Sequence, residues 1–119
     1  MSAPRPIEIV LHRAARTLEV AFDDGARFEL PAEYLRVHSP SADLQGHGPG
    51  QKVLLGGRRQ VGIVGIEPVG NYAVLLRFSD GHASGIYSWE TLRGLGRDQE
   101  ANWAAYLREL DAAGLSRDR

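Results

Sequence analysis

Apolar and polar side chains alternate along two early segments in the way expected of β-strands. Apolar residues occupy every second position of 7–11 and of 18–22, the period at which one face of a strand is buried. The start of the chain therefore predicts two strands, each with one face against a core.

A hairpin is predicted where two aspartates precede Gly25. A three-residue loop over 23–25, with Gly25 in the left-handed conformation, keeps the apolar residues of both strands on one face. A two-residue turn would instead set apolar positions opposite charged ones. The loop predicts three cross-strand pairs: Phe22 with Ala26, Val20 with Phe28, and Leu18 with Leu30.

The remainder of the chain predicts a short helix, a long loop and a second hairpin. Pro31 suits the first turn of a helix over 32–35, and residues 38–60 are rich in serine, proline and glycine, which indicates an irregular loop. Strands are then predicted over 61–66, 72–78 and 82–87, with a break near Pro68 and turns at 70–71 and 79–81. Ser88 can cap a helix from Trp89 towards Leu95, which Gly94 and Gly96 would end.

The two halves of the chain share a local pattern. In each half a phenylalanine, an acidic turn with glycine, a strand and a Leu-Arg pair follow in the same order. The first half has Phe22-Asp23-Asp24-Gly25 and Leu35-Arg36, and the second has Phe78-Ser79-Asp80-Gly81 and Leu92-Arg93. The similarity supports a hairpin followed by a helix in both halves.

A further helix is predicted over 98–113, with acidic residues at its start and an apolar stripe made of Trp103, Tyr106, Leu107 and Leu110. This stripe either packs back on the domain or serves as a contact for a second copy or another protein. We therefore expect an α+β fold. Residues 6–95 form a domain with a small antiparallel sheet of two hairpin–helix modules and a long Ser/Pro/Gly loop. An appended amphipathic helix follows over 97–115, and a frayed tail over 116–119.

Composition narrows the functional classes. The chain has 119 residues, a formal charge of -1 and no cysteine. Such a length suits one domain, and a nearly neutral chain provides no field for nucleic acid or a membrane surface. The absence of cysteine excludes disulfides and thiolate metal sites, and no apolar segment is long enough for a signal peptide or a membrane span. We expect a cytoplasmic protein that binds neither nucleic acid nor membrane.

Five short motifs follow one another between positions 35 and 93: Leu35-Arg36-Val37-His38-Ser39-Pro40-Ser41-Ala42-Asp43, Tyr72-Ala73-Val74, Phe78-Ser79-Asp80-Gly81-His82, Gly85-Ile86-Tyr87-Ser88-Trp89 and Leu92-Arg93. In this order they resemble the gamma-butyrobetaine hydroxylase-like N-terminal domain, and the resemblance covers about 6–95. Bacterial stand-alone members of that family are domains of unknown function.

The resemblance implies a zinc site and a class of partner. In the dioxygenases that carry this domain, three cysteines and one histidine bind zinc, and their positions fall on Ser39, Ser41, Leu44 and His82 of this chain. Only the histidine is retained, so the thiolate site does not form. The family is also found joined to P-loop ATPases that resemble iron–sulfur cluster carriers, which implies an accessory role towards such a protein partner.

The residues themselves allow three functions. The first is a non-catalytic binding module that uses Arg36, Ser39, Ser41, Gly46, Gly48 and Gly50, in which the His82 imidazole hydrogen-bonds segment 39–41. The second is an iron or zinc site made of His38, Asp43, His47 and His82. The third is a small hydrolase built on Ser39 or Ser41 with His38 or His82 and Asp80, although no Gly-x-Ser-x-Gly pattern surrounds either serine. We expect the first, with no cofactor and no catalysis by this chain.

Overall fold

The computed structural model describes residues 4–41 and 53–118, and it confirms the predicted α+β class. The strands are β1 (Pro6–His12), β2 (Thr17–Phe22), β3 (Arg27–Pro31), β4 (Ile63–Val69), β5 (Ala73–Phe78) and β6 (Gly85–Ser88). The helices of the described residues are α1 (Ala32–Val37), α2 (Trp89–Arg97) and α3 (Gln99–Ala112). The strands form two antiparallel sheets of three, in the orders β1-β2-β3 and β4-β5-β6.

The first sheet confirms the predicted register. Leu18 lies opposite Leu30 and Val20 opposite Phe28, while the Phe22 amide donates to the Ala26 carbonyl at 2.8 Å. Gly25 has a φ of 93°, as a three-residue loop requires. Strand β1 departs from its predicted alternation, because an irregularity between positions 6 and 8 turns Ile7 outward, where it is 71% exposed.

The second sheet differs from prediction at two strands. Strand β4 continues through Pro68, since it lies at the edge of its sheet, where a residue without an N–H is tolerated. Strand β6 begins only at Gly85, although the turn before it closes as expected, with the Phe78 amide donating to the His82 carbonyl at 2.9 Å.

Helix α2 begins as predicted and ends later than predicted. The Ser88 hydroxyl accepts the Thr91 amide proton at 3.0 Å, which is a side-chain N-cap. Gly94 and Gly96 lie inside the helix, which ends at Arg97. Gly96 is needed for packing, because a Cβ there would come within 2.4 Å of the Phe28 ring.

A hydrophobic core joins both sheets to α1 and α2, and a second buried cluster of Val37, Tyr106 and Leu110 fixes α3. Helix α3 thus packs back on the domain, but Leu107 of its predicted stripe is 39% exposed. After α3, the chain turns back along positions 57–59. The Gly57 amide donates to the Ser116 carbonyl at 2.8 Å, and the Arg59 amide donates to the Arg117 carbonyl at 3.0 Å. None of the helices within the described residues has the length and apolarity to cross a membrane.

Candidate functional site

The shared pattern of the two halves produces two reciprocal ion pairs. Arg36, at the end of α1, binds Asp80 in the turn of the second hairpin, and Arg93, in α2, binds Asp24 in the turn of the first hairpin. In both turns the aspartate also accepts an amide proton from the residue two positions later, at 3.1 Å. Each half therefore uses its Leu-Arg pair to hold the hairpin of the other half.

The pair at Asp80 is much less exposed than the pair at Asp24. The Arg36 side chain is 8% exposed, and its Nε donates to the Asp80 carboxylate at 2.7 Å. Arg58 donates to the same oxygen at 2.9 Å. Burial raises the pKa of Asp80, but the His82 backbone N–H and the Arg36 and Arg58 guanidinium groups outweigh it and hold that pKa below its usual range.

This lowered pKa predicts a loss of stability in acid. A carboxylate with a lower pKa in the folded state stabilises the fold above its unfolded pKa, and that contribution is lost as the pH falls through the folded value. We expect the free energy of unfolding to decrease as the pH is lowered beyond about 4. The decrease should be less steep in Asp80→Asn. Urea unfolding between pH 6 and pH 3 measures both slopes, and equal slopes would contradict the assignment.

A second polar group ties segment 39–41 to the second sheet. His82 Nε2 lies 3.0 Å from Ser39 Oγ, so the predicted hydrogen bond from the imidazole to this segment is confirmed. The hydroxyls of Ser41 and Ser84 lie 2.8 Å apart. Ser39 is fully buried, and a Cβ on Gly85 would come within 2.4 Å of its Oγ, which shows how closely the segment approaches β6.

The predicted metal ligands are only partly described. The His38 ring lies 4.7 Å from the Tyr34 ring, tilted by 56°, and 6.1 Å from the Tyr106 ring of α3, whereas His82 contacts Ser39 and Phe78. Asp43 and His47 lie outside the described residues. Residues 4–41 and 53–118 contain no group of three histidine, aspartate or glutamate side chains arranged to hold a metal ion. The four-residue metal set therefore stays a prediction.

The predicted partner-binding residues divide in the same way. Arg36 and Ser41 are each 6% exposed and Ser39 is fully buried. Gly46, Gly48 and Gly50 lie outside the described residues. The three described side chains contribute bonds inside the fold, and their contact with a partner stays a prediction.

A groove of about 820 Å³ lies between α1, the junction of α2 and α3, and α3 itself. The side chains that line it combine apolar, aromatic and polar groups, among them Glu33, Tyr34, Gln99, Trp103, Leu107 and Arg117. At its base the Tyr34 hydroxyl donates to the Leu95 carbonyl at 2.7 Å and accepts from Asn102 at 3.1 Å. Two other concave surfaces of the described residues are smaller, at about 170 and 460 Å³.

Charged and aromatic groups meet on one wall of this groove. Arg117 donates two hydrogen bonds to the carboxylate of Glu33, which is 6% exposed, and its guanidinium lies 5.1 Å from the centre of the Trp103 ring. The hydrogen bonds to Glu33 raise the pKa of Arg117, so the guanidinium stays protonated. Nearby, burial raises the pKa of Tyr106 to about 12, and its neutral hydroxyl donates to the Leu55 carbonyl at 2.5 Å.

The sequence analysis predicted neither the two reciprocal ion pairs nor the ion pair between Glu33 and Arg117. The repeat of an acidic turn and a Leu-Arg pair was the signal for Arg36–Asp80 and Arg93–Asp24, because two equivalent halves that pack together exchange equivalent contacts. The Glu33–Arg117 pair has no comparable signal, since 84 positions separate its members and the segment that carries Arg117 was predicted to fray.

The fold and its surfaces define a small α+β module made of two similar halves, with a groove beside its last helix. The family model described as "Gamma-butyrobetaine hydroxylase-like, N-terminal" matches residues 9–93. The chain belongs to this family.

Solved structures agree with that assignment. Two NMR solution structures are 48% and 46% identical to this chain, cover 98% of it and 92% and 86% of their own chains, and have TM-scores of 0.85 and 0.84. A crystal structure from Acidithiobacillus ferrooxidans, of a protein of unknown function in the DUF971 family, is 40% identical, covers 80% of this chain and 98% of its own, and has a TM-score of 0.67. No curated protein matches the chain.

The residues at the family's zinc positions do not fit zinc. Ser39 and Ser41 supply hydroxyl groups, which are poor zinc ligands at neutral pH, and Leu44, outside the described residues, has no donor atom. The Ser39 hydroxyl is hydrogen-bonded to the His82 imidazole, the one side chain that matches the family's ligand set. A hydrogen bond between segment 39–41 and the second hairpin thus stands where the family pattern implies a metal.

Proposed function

We propose that this chain is a non-catalytic binding module whose binding face is the groove between α1 and α3. The observation that carries the proposal is the groove itself. It is open, it has a volume of about 820 Å³, and it combines the ring of Trp103 and the exposed Leu107 with charged groups. Aromatic and aliphatic anchors beside charged groups are the usual composition of a protein-binding surface.

The geometry around Ser39 favours binding over hydrolysis. Ser39 and His82 lie at a distance suited to a nucleophile and a base, but a substrate does not reach a serine that is fully buried. The Asp80 carboxylate, the third member of such a triad, is hydrogen-bonded to Arg36, Arg58 and the His82 backbone. These groups therefore serve the fold in our account.

The partner that we propose to test first is a P-loop ATPase of the iron–sulfur carrier type. This choice rests on the family resemblance, and the groove supports only the location of the contact. In this scheme the partner holds the iron or the cluster and the present chain contributes a protein surface. The alternative, direct iron or zinc binding by His38, Asp43, His47 and His82, predicts a metal-dependent melting temperature.

The binding face is tested with two matched variants. Leu107→Glu places a charge in the groove, and Val64→Glu places the same charge on an exposed strand residue, 52% exposed, that does not line it. We expect calorimetric titration with the purified ATPase to give at least tenfold weaker binding for Leu107→Glu, a loss typical of an interface anchor, and unchanged binding for Val64→Glu. Equal affinities for both variants, or no binding by the unmodified chain, would contradict the proposal.

A further inference from the structure

The wall of the groove contains a site shaped for a guanidinium group. Arg117 Nε lies 2.9 Å from one oxygen of the Glu33 carboxylate, and Arg117 Nη2 lies 2.6 Å from the other. Two parallel hydrogen bonds of this kind require the planar fork of arginine. Because Glu33 is 6% exposed, its carboxylate depends on such a partner.

The Trp103 ring adds a second element of selectivity. The guanidinium carbon lies 5.1 Å from the ring centroid, within the range of a cation–π contact. A carboxylate that accepts two bonds together with an aromatic face favours arginine over lysine, whose ammonium offers neither a planar fork nor a stacking surface. Both groups also line the open groove, so the site is continuous with solvent.

The segment that delivers Arg117 is held by few contacts. Among the described residues, segment 115–118 is held, apart from the bonds of Arg117, by backbone hydrogen bonds from Gly57 and Arg59, by the bond from the Leu115 amide to the Leu110 carbonyl, and by the ion pair between Arg59 and Asp118. Residues 111–116 are exposed, and Gly114 has a φ of 70°, which marks a turn between α3 and this segment. Segment 115–118 therefore has the character of a ligand that is tethered to its own binding site.

We propose that the Glu33–Trp103 site binds an arginine from an extended segment of a partner protein, and that Arg117 is its intramolecular occupant. This inference rests on the proposed function, since it names what the groove recognises. The partner segment displaces 115–118, places its guanidinium between Glu33 and Trp103, and presents its carbonyls to the amides of Gly57 and Arg59. After the exchange, the buried Glu33 carboxylate is paired with the arginine of the partner instead of with Arg117.

The test uses a synthetic peptide with the sequence of residues 113–118 and a second peptide with lysine in place of its arginine. Three full-length proteins are titrated: the unmodified chain, Arg117→Ala and Arg117→Lys. The alanine variant removes the intramolecular guanidinium, and the lysine variant keeps a positive charge beside Glu33 if the alanine variant fails to fold. Tryptophan fluorescence reports occupation of the site. For this readout all three proteins carry Trp89→Phe, so that only Trp103 contributes to the signal.

We expect the arginine peptide to bind the Arg117 variants at least tenfold more tightly than it binds the unmodified chain, and at least tenfold more tightly than the lysine peptide binds the same variants. In the unmodified chain, excess arginine peptide should shift the amide resonances of Gly57 and Arg59. Equal affinity for both peptides, or no binding by a folded variant, would overturn the inference. Those results would leave the Leu107→Glu test of the groove unaffected, so the two proposals fail separately.

Discussion

Replacing Asp80 with alanine is expected to lower the free energy of unfolding by about 3 kcal/mol, the cost of leaving a buried cation without its partner. The Arg36 side chain is 8% exposed, and Asp80 is the acceptor that the structure gives it. Its Nη1 atom is buried without a hydrogen-bond partner among the described residues, so no hydrogen bond of that atom offsets the loss of Asp80. Arg58, which is 30% exposed, would be left beside it as a second positive charge.

The matched control is Asp24→Ala in the first hairpin. Asp24 occupies the equivalent place in its turn, and it pairs with Arg93, but the two side chains are 36% and 30% exposed. Exposed ion pairs contribute little, because water solvates both charges once the pair is broken. Chemical unfolding of the two variants should therefore give a much larger loss for Asp80→Ala. Equal losses would show that burial of Arg36 is not what makes its pair important.

A second large effect is expected at Gly96. A Cβ at this position would lie 2.4–2.7 Å from three atoms of the Phe28 ring, closer than non-bonded carbons approach, and Gly96 itself is buried. Gly96→Ala must therefore push α2 away from β3 or move the ring, and we expect a loss of about 1–3 kcal/mol in the free energy of unfolding.

Gly94 provides the control within the same helix. A Cβ there would meet only the end of the Arg97 side chain, at 3.8 Å. Because alanine is the better helix former, Gly94→Ala should raise the free energy of unfolding by about 0.5–1 kcal/mol. Thermal or urea unfolding of the two variants gives opposite signs if the packing is as described. A stabilising Gly96→Ala would mean that α2 does not rest on Phe28.

The same two glycines show where sequence reasoning stopped. Cross-strand pairing in the first hairpin followed from the sequence, because loop length and the apolar face fix the register together. Gly94 and Gly96 were predicted to end α2, since a local pattern penalises glycine inside a helix. Position 96 requires glycine because of a non-local contact with Phe28 of β3, which no local pattern contains.

Part of the candidate site could also be predicted from the sequence, and part could not. The hydrogen bond between His82 and segment 39–41 was predicted from the family resemblance, which places both at the family's zinc positions, and the structure contains it. The groove depends on how α3 packs and on where segment 115–118 turns back, and both are set by distant contacts: Tyr106 with Leu55, and Arg117 with Glu33. Amphipathicity predicted that α3 has an apolar stripe, but it did not separate the buried Leu110 from the exposed Leu107.

The central claim, that the chain binds a protein partner through the groove beside α3, is tested most directly by mapping amide resonances during titration with the purified iron–sulfur carrier ATPase. We predict that the changes concentrate at residues that line the groove: Glu33, Tyr34, Gly96, Trp103 and Leu107. Changes confined to Ser39, Ser41, His82 and Ser84, with the groove unaffected, would contradict the account and move the binding face to segment 39–41.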